Sequence, residues 1–259
     1  MPLTRRRHLE AELASQPTDL YSEFLAGWDR LEIHGQEIRS TSTTEIYATE
    51  ALVRWRRGPG ELWAAGMALP IAEETGVIED CTQLALDMSI AAWAGSNRRD
   101  GSQRLALNLH RASLESSTVV SVLLASCATY GVAPSELVFE IPDRLGAQRC
   151  RAAVDALGPL FDAGARIALD DHRGEASETT PNLSWLPVGS LVKLDAAITD
   201  VCDHPLGRQV LERTAGALHQ QGYEVAAEMI ERPAQLDAVR ACNIGWAQGH
   251  LLGAPQLFS

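Results

Sequence analysis

Short apolar runs that end in an acidic or amide side chain, each followed by a stretch of helical periodicity, recur along this chain. Glu50 stands in TEALVRW, Asn108 in LALNLH, Glu140 in LVFEI, and the pair Asp170-Asp171 in IALDD. Strands that alternate with helices form βαβ units, and those build a mainly parallel sheet. The spacing predicts strands over 31–38, 45–55, 105–110, 137–141, 166–171, 190–195 and 223–230, with 244–253 closing the series. Helices are expected over 70–74, 78–95, 114–131, 150–164, 205–222 and 234–243, with a short helical LSWLP, while RRGPGELW and 172–182 read as loops. About eight strands with no internal linker fit a closed α/β barrel, a TIM-like (β/α)8 fold, better than an open sheet. The doubly wound alternative lacks both GxGxxG and GxxxxGK[ST]. Leu9, Leu13, Leu20, Phe24 and Trp28 lie at near-helical spacing. The domain reading is therefore an N-terminal helical segment over 1–30 and a barrel over 31–259.

A (β/α) barrel opens the C-terminal ends of its strands onto one face. Placed in such a barrel, this chain collects Gln36, Glu50, Asn108, Glu140, Asp170, Asp171, Lys193, Asp195 and Glu228 there. Five or more converging carboxylates cannot all ionise side by side without a compensating cation. Hard divalent ions answer that need, and an oxygen-rich set suits magnesium or manganese without histidine, so His110 and His172 read as incidental. The adjacent Asp170-Asp171 allows one carboxylate to bridge two ions, the arrangement that clamps attacking and leaving oxygens in phosphoryl transfer. Lys193 is placed to orient water or to stabilise charge on a phosphate.

Composition narrows the partners. The formal net charge is −12, with 34 acidic against 22 basic side chains, so broad DNA or RNA binding is not expected. A small phosphorylated ligand remains open if metal ions supply positive charge locally. The five cysteines are scattered singly without a CxxC pair, as in a reduced cytoplasmic protein. Nothing approaches the roughly 18 apolar residues of a membrane span, and the basic start runs into acidic residues rather than a leader. No membrane contact is expected of this chain.

These motifs together resemble the EAL domain, the bacterial domain that linearises cyclic dimeric GMP. The likeness runs from about 30 to 257. TEALVRW resembles the signature, and LPIAEETGVI, LALNLH, LVFEI, IALDD, VKLD, AAEMIE and AQGHLLGAPQ follow in the family's order and spacing. The resemblance implies a barrel whose first strand is antiparallel to the rest. It implies that Glu50, Asn108, Glu140 and Asp170 bind a first metal, with Asp170 bridging to a second held by Asp171 and Glu228. Lys193, Glu228 and Gln248 would serve catalysis, the lysine and glutamine by positioning water. Gln36, Leu52, Arg54 and Glu231 would contact the dinucleotide, Arg54 through a phosphate oxygen. The implied reaction is in-line attack of water on one phosphodiester bond, giving linear pGpG with two Mg²⁺ or Mn²⁺ ions. A homodimer and a fused or separate sensory domain are further implications.

The chain also departs from the family pattern. The aspartate pair usually continues as DDFGTGYSSL; here Asp171 is followed by His172-Arg173-Gly174-Glu175-Ala176-Ser177-Glu178. Pro142-Asp143 replace threonine-glutamate, Met229 stands where glycine is usual, and Glu37 replaces proline after Gln36. A changed turn implies weakened or regulated turnover, because losing glycine alters the conformations available to it. Two alternatives stand beside the phosphodiesterase: a receptor that binds the dinucleotide without turning it over, and a protein-interaction module on a retired barrel.

Overall fold

Period-two alternation decides which way a strand's side chains face, and here it points one apolar and then one polar residue of every barrel strand inward. The computed structural model describes residues 27, 30–99, 101–116, 118–174 and 183–258. Apart from Gly27 and Arg30, the helix expected over 4–30 lies outside the described residues, as does the 175–182 part of the polar loop. Among the described residues, eight strands close into a ring. They are β1 (Leu31–Ser40), β2 (Ile46–Gly58), β4 (Leu105–Asn108), β5 (Leu137–Pro142), β6 (Arg166–His172), β7 (Leu191–Leu194), β8 (Glu224–Ala227) and β9 (Trp246–Ala247). β1 is antiparallel to β2 and β9, and the other ring neighbours are parallel. The chain is thus a mixed, TIM-like barrel. No described helix is long and apolar enough to cross a membrane.

The barrel floor is one buried cluster: Ile38, Tyr47, Ala48, Ala106, Val138, Ala168, Leu191 and Ala226, with Trp246 against it. Two residues further along each parallel strand stands a polar side chain: Glu50, Asn108, Glu140, Asp170, Lys193, Glu228 and Gln248. In β1 the order reverses, so Gln36 precedes Ile38 by two. Four floor residues are alanines, leaving room for Tyr47 and Trp246 to meet edge to face with centroids 5.2 Å apart. Tyr47 is the extra residue where the β1–β2 register slips, so the bulge turns it under the barrel. Neighbouring strands are staggered: Glu50 lies beside Ala106, Glu140 beside Ala168, and Lys193 beside Ala226. Such shear is what closing a barrel requires.

Outside the ring, helices cover the strands' other face. α1 (Ala65–Glu74), α2 (Ile78–Ala94), α3 (Arg111–Glu115), α4 (Val119–Tyr130), α5 (Ala147–Ala156), α6 (Gly158–Asp162), α7 (Ala196–Thr199), α8 (Pro205–Gln220) and α9 (Pro233–Ala241) follow in chain order. The main core lies between them and the outward strand residues, among them Leu107, Phe139, Leu169 and Val192 with Trp93, Leu123 and Leu211.

Several elements differ from their sequence reading. RRGPGELW is a hairpin, because β2 continues to Gly58 and β3 (Glu61–Ala64) pairs back on it through Gly60 at φ 78°. Its aromatic residues explain the extension: Trp55 and Trp63 stack edge to face at 5.6 Å, and the Arg57 guanidinium lies over Trp63. The 114–131 helix is two, α3 and α4, and the 150–164 helix breaks at Leu157 ahead of Gly158-Pro159. LSWLP is turn rather than helix. Only 224–227 of the 223–230 run pairs in the sheet, and β10 (Gln256–Leu257) adds to β1.

One polar clamp ties α2 to the start of β5. Glu136 accepts from Arg99 through both oxygens (2.7 and 2.8 Å), from the Trp93 indole (3.2 Å) and from the backbone of Ala133 (2.9 Å). The bidentate guanidinium outweighs partial burial and holds the carboxyl at about 2 against an ordinary 4.5. The folded-state value lies below the unfolded one, so this contribution is complete above about 4.5 and fades as pH falls toward 2. Urea unfolding across that window is expected to lose on the order of 2 kcal/mol more in the parent than in Glu136→Gln. Parallel pH profiles for the two proteins would refute the assignment.

Candidate active site

The polar layer above the barrel floor is organised around Lys193. Its side chain is 1% exposed, and Nζ lies 2.9 Å from Glu140 Oε2, 2.9 Å from Glu228 Oε1, 3.0 Å from Asp170 Oδ1 and 3.3 Å from Glu50 Oε2. An ammonium has three protons and here four carboxylate neighbours, so one must go without a hydrogen bond. Among the described residues, Asp170 Oδ1 makes none, and neither does the buried Glu140 Oε1.

Two amides complete the arrangement. Asn108 Nδ2 donates to Glu50 Oε1 at 2.6 Å, and Gln248 Nε2 donates to Glu50 Oε2 at 2.7 Å. Gln248 also reaches Gln36 Oε1 at 3.4 Å, and Gln36 Nε2 donates to the Gly253 carbonyl. The glycine after Gln248 fixes its aim. A Cβ on Gly249 would come within 2.2 Å of the Ile230 backbone nitrogen, so only glycine lets the chain pass there.

Asp170 and Asp171 should face opposite ways on a regular strand. They do not, because the β6–β7 register slips between Leu169 and His172. The bulge places Asp171 at φ 57°, a left-handed conformation that aspartate tolerates better than most residues. Oxygens of Asp170, Asp171 and Glu228 consequently lie within 4.8 Å of one another. Met229, beside Glu228, has φ 55°, which is the physical reason a glycine is at home there.

The electrostatics are lopsided. Burial pushes Glu50 up, but the ammonium and the two amides outweigh it and hold this carboxyl below its ordinary range. Burial and repulsion from Glu50 push Glu140 well above it. Burial carries Glu228 to about 8, with Asp170 and Glu50 adding to the shift, and burial beside Asp170 raises Asp171. Burial opposes the Lys193 charge, yet the four surrounding carboxylates raise its pKa well above the usual value. Lys193 and the Arg144 guanidinium beside Asp171 do not balance five carboxylates. Additional positive charge would fit the orphaned oxygens of Glu140 and Asp170 and the Asp170–Asp171–Glu228 cluster, and an all-oxygen donor set with one amide suits a hard divalent ion.

A cleft opens over this layer in two lobes of about 310 and 330 Å³, and Glu50, Leu52, Asp170 and Asp171 line both. Gln36, Glu228, Glu231 and Gln248 line the polar lobe, and Arg54 lines the more apolar one, where its Nη1 donates to the Val53 carbonyl. Glu231 sits at the rim, 3.5 Å from His250. Asp195 is turned partly aside: it caps α7 by accepting from Ala197 N at 2.6 Å and pairs with Arg173 at 3.2 Å.

Two positional expectations need correction. Gln36 does not come from a strand's C-terminal end: β1 runs the other way, and Gln36 reaches the mouth from its middle, opposite Glu50. Glu50 is likewise mid-strand, since β2 runs eight residues beyond it into the hairpin. His110 caps α3 and lies 3.3 Å from Glu73. His172, 3% exposed, meets Asp143 at 2.8 Å, so two of the departures from the family pattern touch each other. Arg144 escaped the sequence reading altogether; its Nη1 lies 3.1 Å from Asp171 Oδ2. No spacing signal joins residues 27 positions apart on different turns.

Comparison with known proteins accords with this geometry. The cyclic di-GMP phosphodiesterase PA2567 of Pseudomonas aeruginosa is 28% identical over 216 residues, spanning 83% of this chain and 36% of that protein. Signaling protein YkoW of Bacillus subtilis is 25% identical over 228 residues, 88% of this chain and 28% of YkoW. The chain therefore spans about a third of the length of these relatives. Among solved structures, the PaMucR phosphodiesterase in its c-di-GMP complex superposes with a TM-score of 0.78 at 23% identity, covering 88% of this chain and 93% of that one. The FimX EAL domain of Pseudomonas aeruginosa bound to c-di-GMP gives 0.80 at 19% identity, covering 92% and 96%. At those identities the likeness speaks for the fold. The description of the EAL domain matches residues 26–255, nearly the whole barrel whose strands carry Glu50 and its partners to one mouth, and the chain belongs to the EAL domain family.

Proposed function

We propose that this chain is a metal-dependent phosphodiesterase that hydrolyses cyclic-di-GMP to linear pGpG. The observation that carries the reading is the convergence of four carboxylates on one buried lysine, with Asn108 donating to Glu50 and Asp171 grouped with Asp170 and Glu228, a set richer in negative charge than one ammonium balances. Glu50, Asn108, Glu140 and Asp170 would hold one Mg²⁺ or Mn²⁺, and Asp170, Asp171 and Glu228 a second. Such ions supply charge neutralisation for phosphate oxygens and acidify water.

The chain's own groups do the rest. Asn108 and Gln248 fix both oxygens of Glu50, so that carboxylate stays ionised and cannot swing. Lys193 and Gln248, whose N–H groups point at the carboxylates of the site, would orient the attacking water there. Arg54 would pair with a phosphate oxygen, while Leu52 and the apolar lobe take a flat base and exclude solvent from it. Gln36 and Glu231 would contact the dinucleotide from the polar lobe. The chain is read as the catalytic part of a cytoplasmic signalling system whose sensor is either fused to it or separate.

A second reading, a receptor that binds the dinucleotide and scarcely turns it over, draws on one observation. Asp171 already has a cationic partner in Arg144, which weakens its call on a metal ion. Calorimetry with Ca²⁺ and cyclic-di-GMP beside a turnover assay with Mg²⁺ or Mn²⁺ separates the two: binding without product at any divalent concentration favours the receptor.

Under the phosphodiesterase reading, purified protein converts cyclic-di-GMP to pGpG only with divalent metal, and Glu50→Ala lowers turnover by about 10²–10³-fold. A variant that retains parental turnover would end the assignment of Glu50. Lys193→Met leaves four carboxylates uncompensated, so metal-free stability at neutral pH is expected to drop by about 3–5 kcal/mol. Mn²⁺ should restore more of it in the variant than it adds to the parent. Equal urea midpoints for variant and parent would show that the lysine does not balance this cluster.

A further inference from the structure

A cavity of about 430 Å³ opens beside the barrel mouth, and its walls carry charge of the opposite sign to the protein as a whole. Arg111, Arg144 and Arg149 line it, and among the described residues one carboxylate, Glu73, lines it with them. The three guanidiniums come from different elements: the first residue of α3, the turn after β5, and the first turn of α5. In a chain of net charge −12, three arginines lining one cavity make a basic patch beside a mouth crowded with carboxylates. Glu73 lies 3.3 Å from His110.

The cavity is not isolated. Gly66, Leu69, His110, Pro142 and Arg144 line both it and the apolar lobe of the cleft. A ligand can therefore extend from the lobe into the arginine cluster. Leu69, Pro70 and Leu145 give it an apolar wall as well, which suits a nucleoside carrying an anionic end rather than a bare ion.

We propose that this cavity is a phosphomonoester site that takes the terminal phosphate of a 5′-phosphorylated nucleotide; that the nucleotide is the linear product of the mouth rests on the phosphodiesterase reading. Each phosphodiester of the cyclic substrate carries one negative charge, whereas a phosphate monoester approaches two above a second pKa of about 6. Guanidinium forks match the oxygens of such a dianion. The cavity would thus engage a group that exists only after the ring has opened. Arg144 would then have two competing anions, the phosphate and Asp171, which couples occupancy of the cavity to the freedom of a mouth carboxylate.

Calorimetry on the whole chain in EDTA tests the site apart from metal and turnover, with guanosine 5′-monophosphate, guanosine and guanosine 3′,5′-cyclic monophosphate as probes. The monoester is expected to bind about tenfold more tightly than the other two near pH 7.5, with the advantage shrinking near pH 5.5 as the phosphate gains a proton. Arg149→Ala, an exposed position that touches none of the proposed metal ligands, should weaken the monoester about tenfold without moving the melting temperature, and Arg149→Glu should weaken it further. Equal affinity for the three probes, no measurable binding of the monoester, or an Arg149→Ala affinity within about twofold of the parent would overturn the proposal. Failure of cyclic-di-GMP turnover with monoester binding intact would instead remove the phosphodiesterase reading and leave the cavity's assignment standing.

Discussion

A single ammonium surrounded by four carboxylates is the interaction on which the rest of this barrel's mouth depends. Lys193 is almost fully buried, and a buried charge survives only where partners repay its lost hydration. The repayment here is excessive. Burial, with repulsion from neighbouring carboxylates, drives Glu140 and Glu228 up in pKa by more than the lysine lowers them. The same imbalance that makes the site unfavourable for the bare protein makes it receptive to further cations. Stability and chemistry are therefore opposed at this point, as they commonly are where a fold is put to use.

Geometry delivers that cluster through two devices of the sheet. Stagger raises alternate strands, so a polar residue on one stands beside a floor residue on the next. Small floor residues, notably Ala106, Ala168 and Ala226, let the layer above sit low and close together. The second device is local. A bulge at the end of β6, with Asp171 in a left-handed conformation, turns two consecutive carboxylates toward one centre. Barrel rims often use bulges to re-aim a side chain, and this one also brings His172 inward to meet Asp143.

Charge is distributed by position rather than by composition. The chain as a whole is acidic, yet the turn after β5 and the first residues of α3 and α5 gather arginines beside the most acidic part of the structure. Arg144 links the two regions by its ion pair with Asp171. Its side chain is 70% exposed, so the pair is screened and exchangeable. An exposed cation of this kind can be drawn away from its partner by another anion.

Much of this was legible in the residues alone. The alternation of strand and helix, the apolar-then-polar step at Ala48/Glu50, Val138/Glu140 and Ala168/Asp170, and the order of the motifs all follow from local chain chemistry, which needs no knowledge of neighbours. Hydrophobic periodicity also marked Lys193 and Glu228 as strand-end residues. The aromatic hairpin at Trp55 and Trp63 was masked by glycines and a proline, because turn residues signal a loop whether or not the chain folds back on itself. What only the tertiary structure decided are the relations among distant residues: four carboxylates meeting one lysine, Asp143 meeting His172, Arg144 meeting Asp171, and three arginines facing one cavity. The first depends on strand stagger, the contacts of Asp171 and His172 on a bulge, and the arginines on how the outer elements meet. All are set by how the sheet closes, and barrel closure is a property of the whole ring that no single stretch of sequence carries.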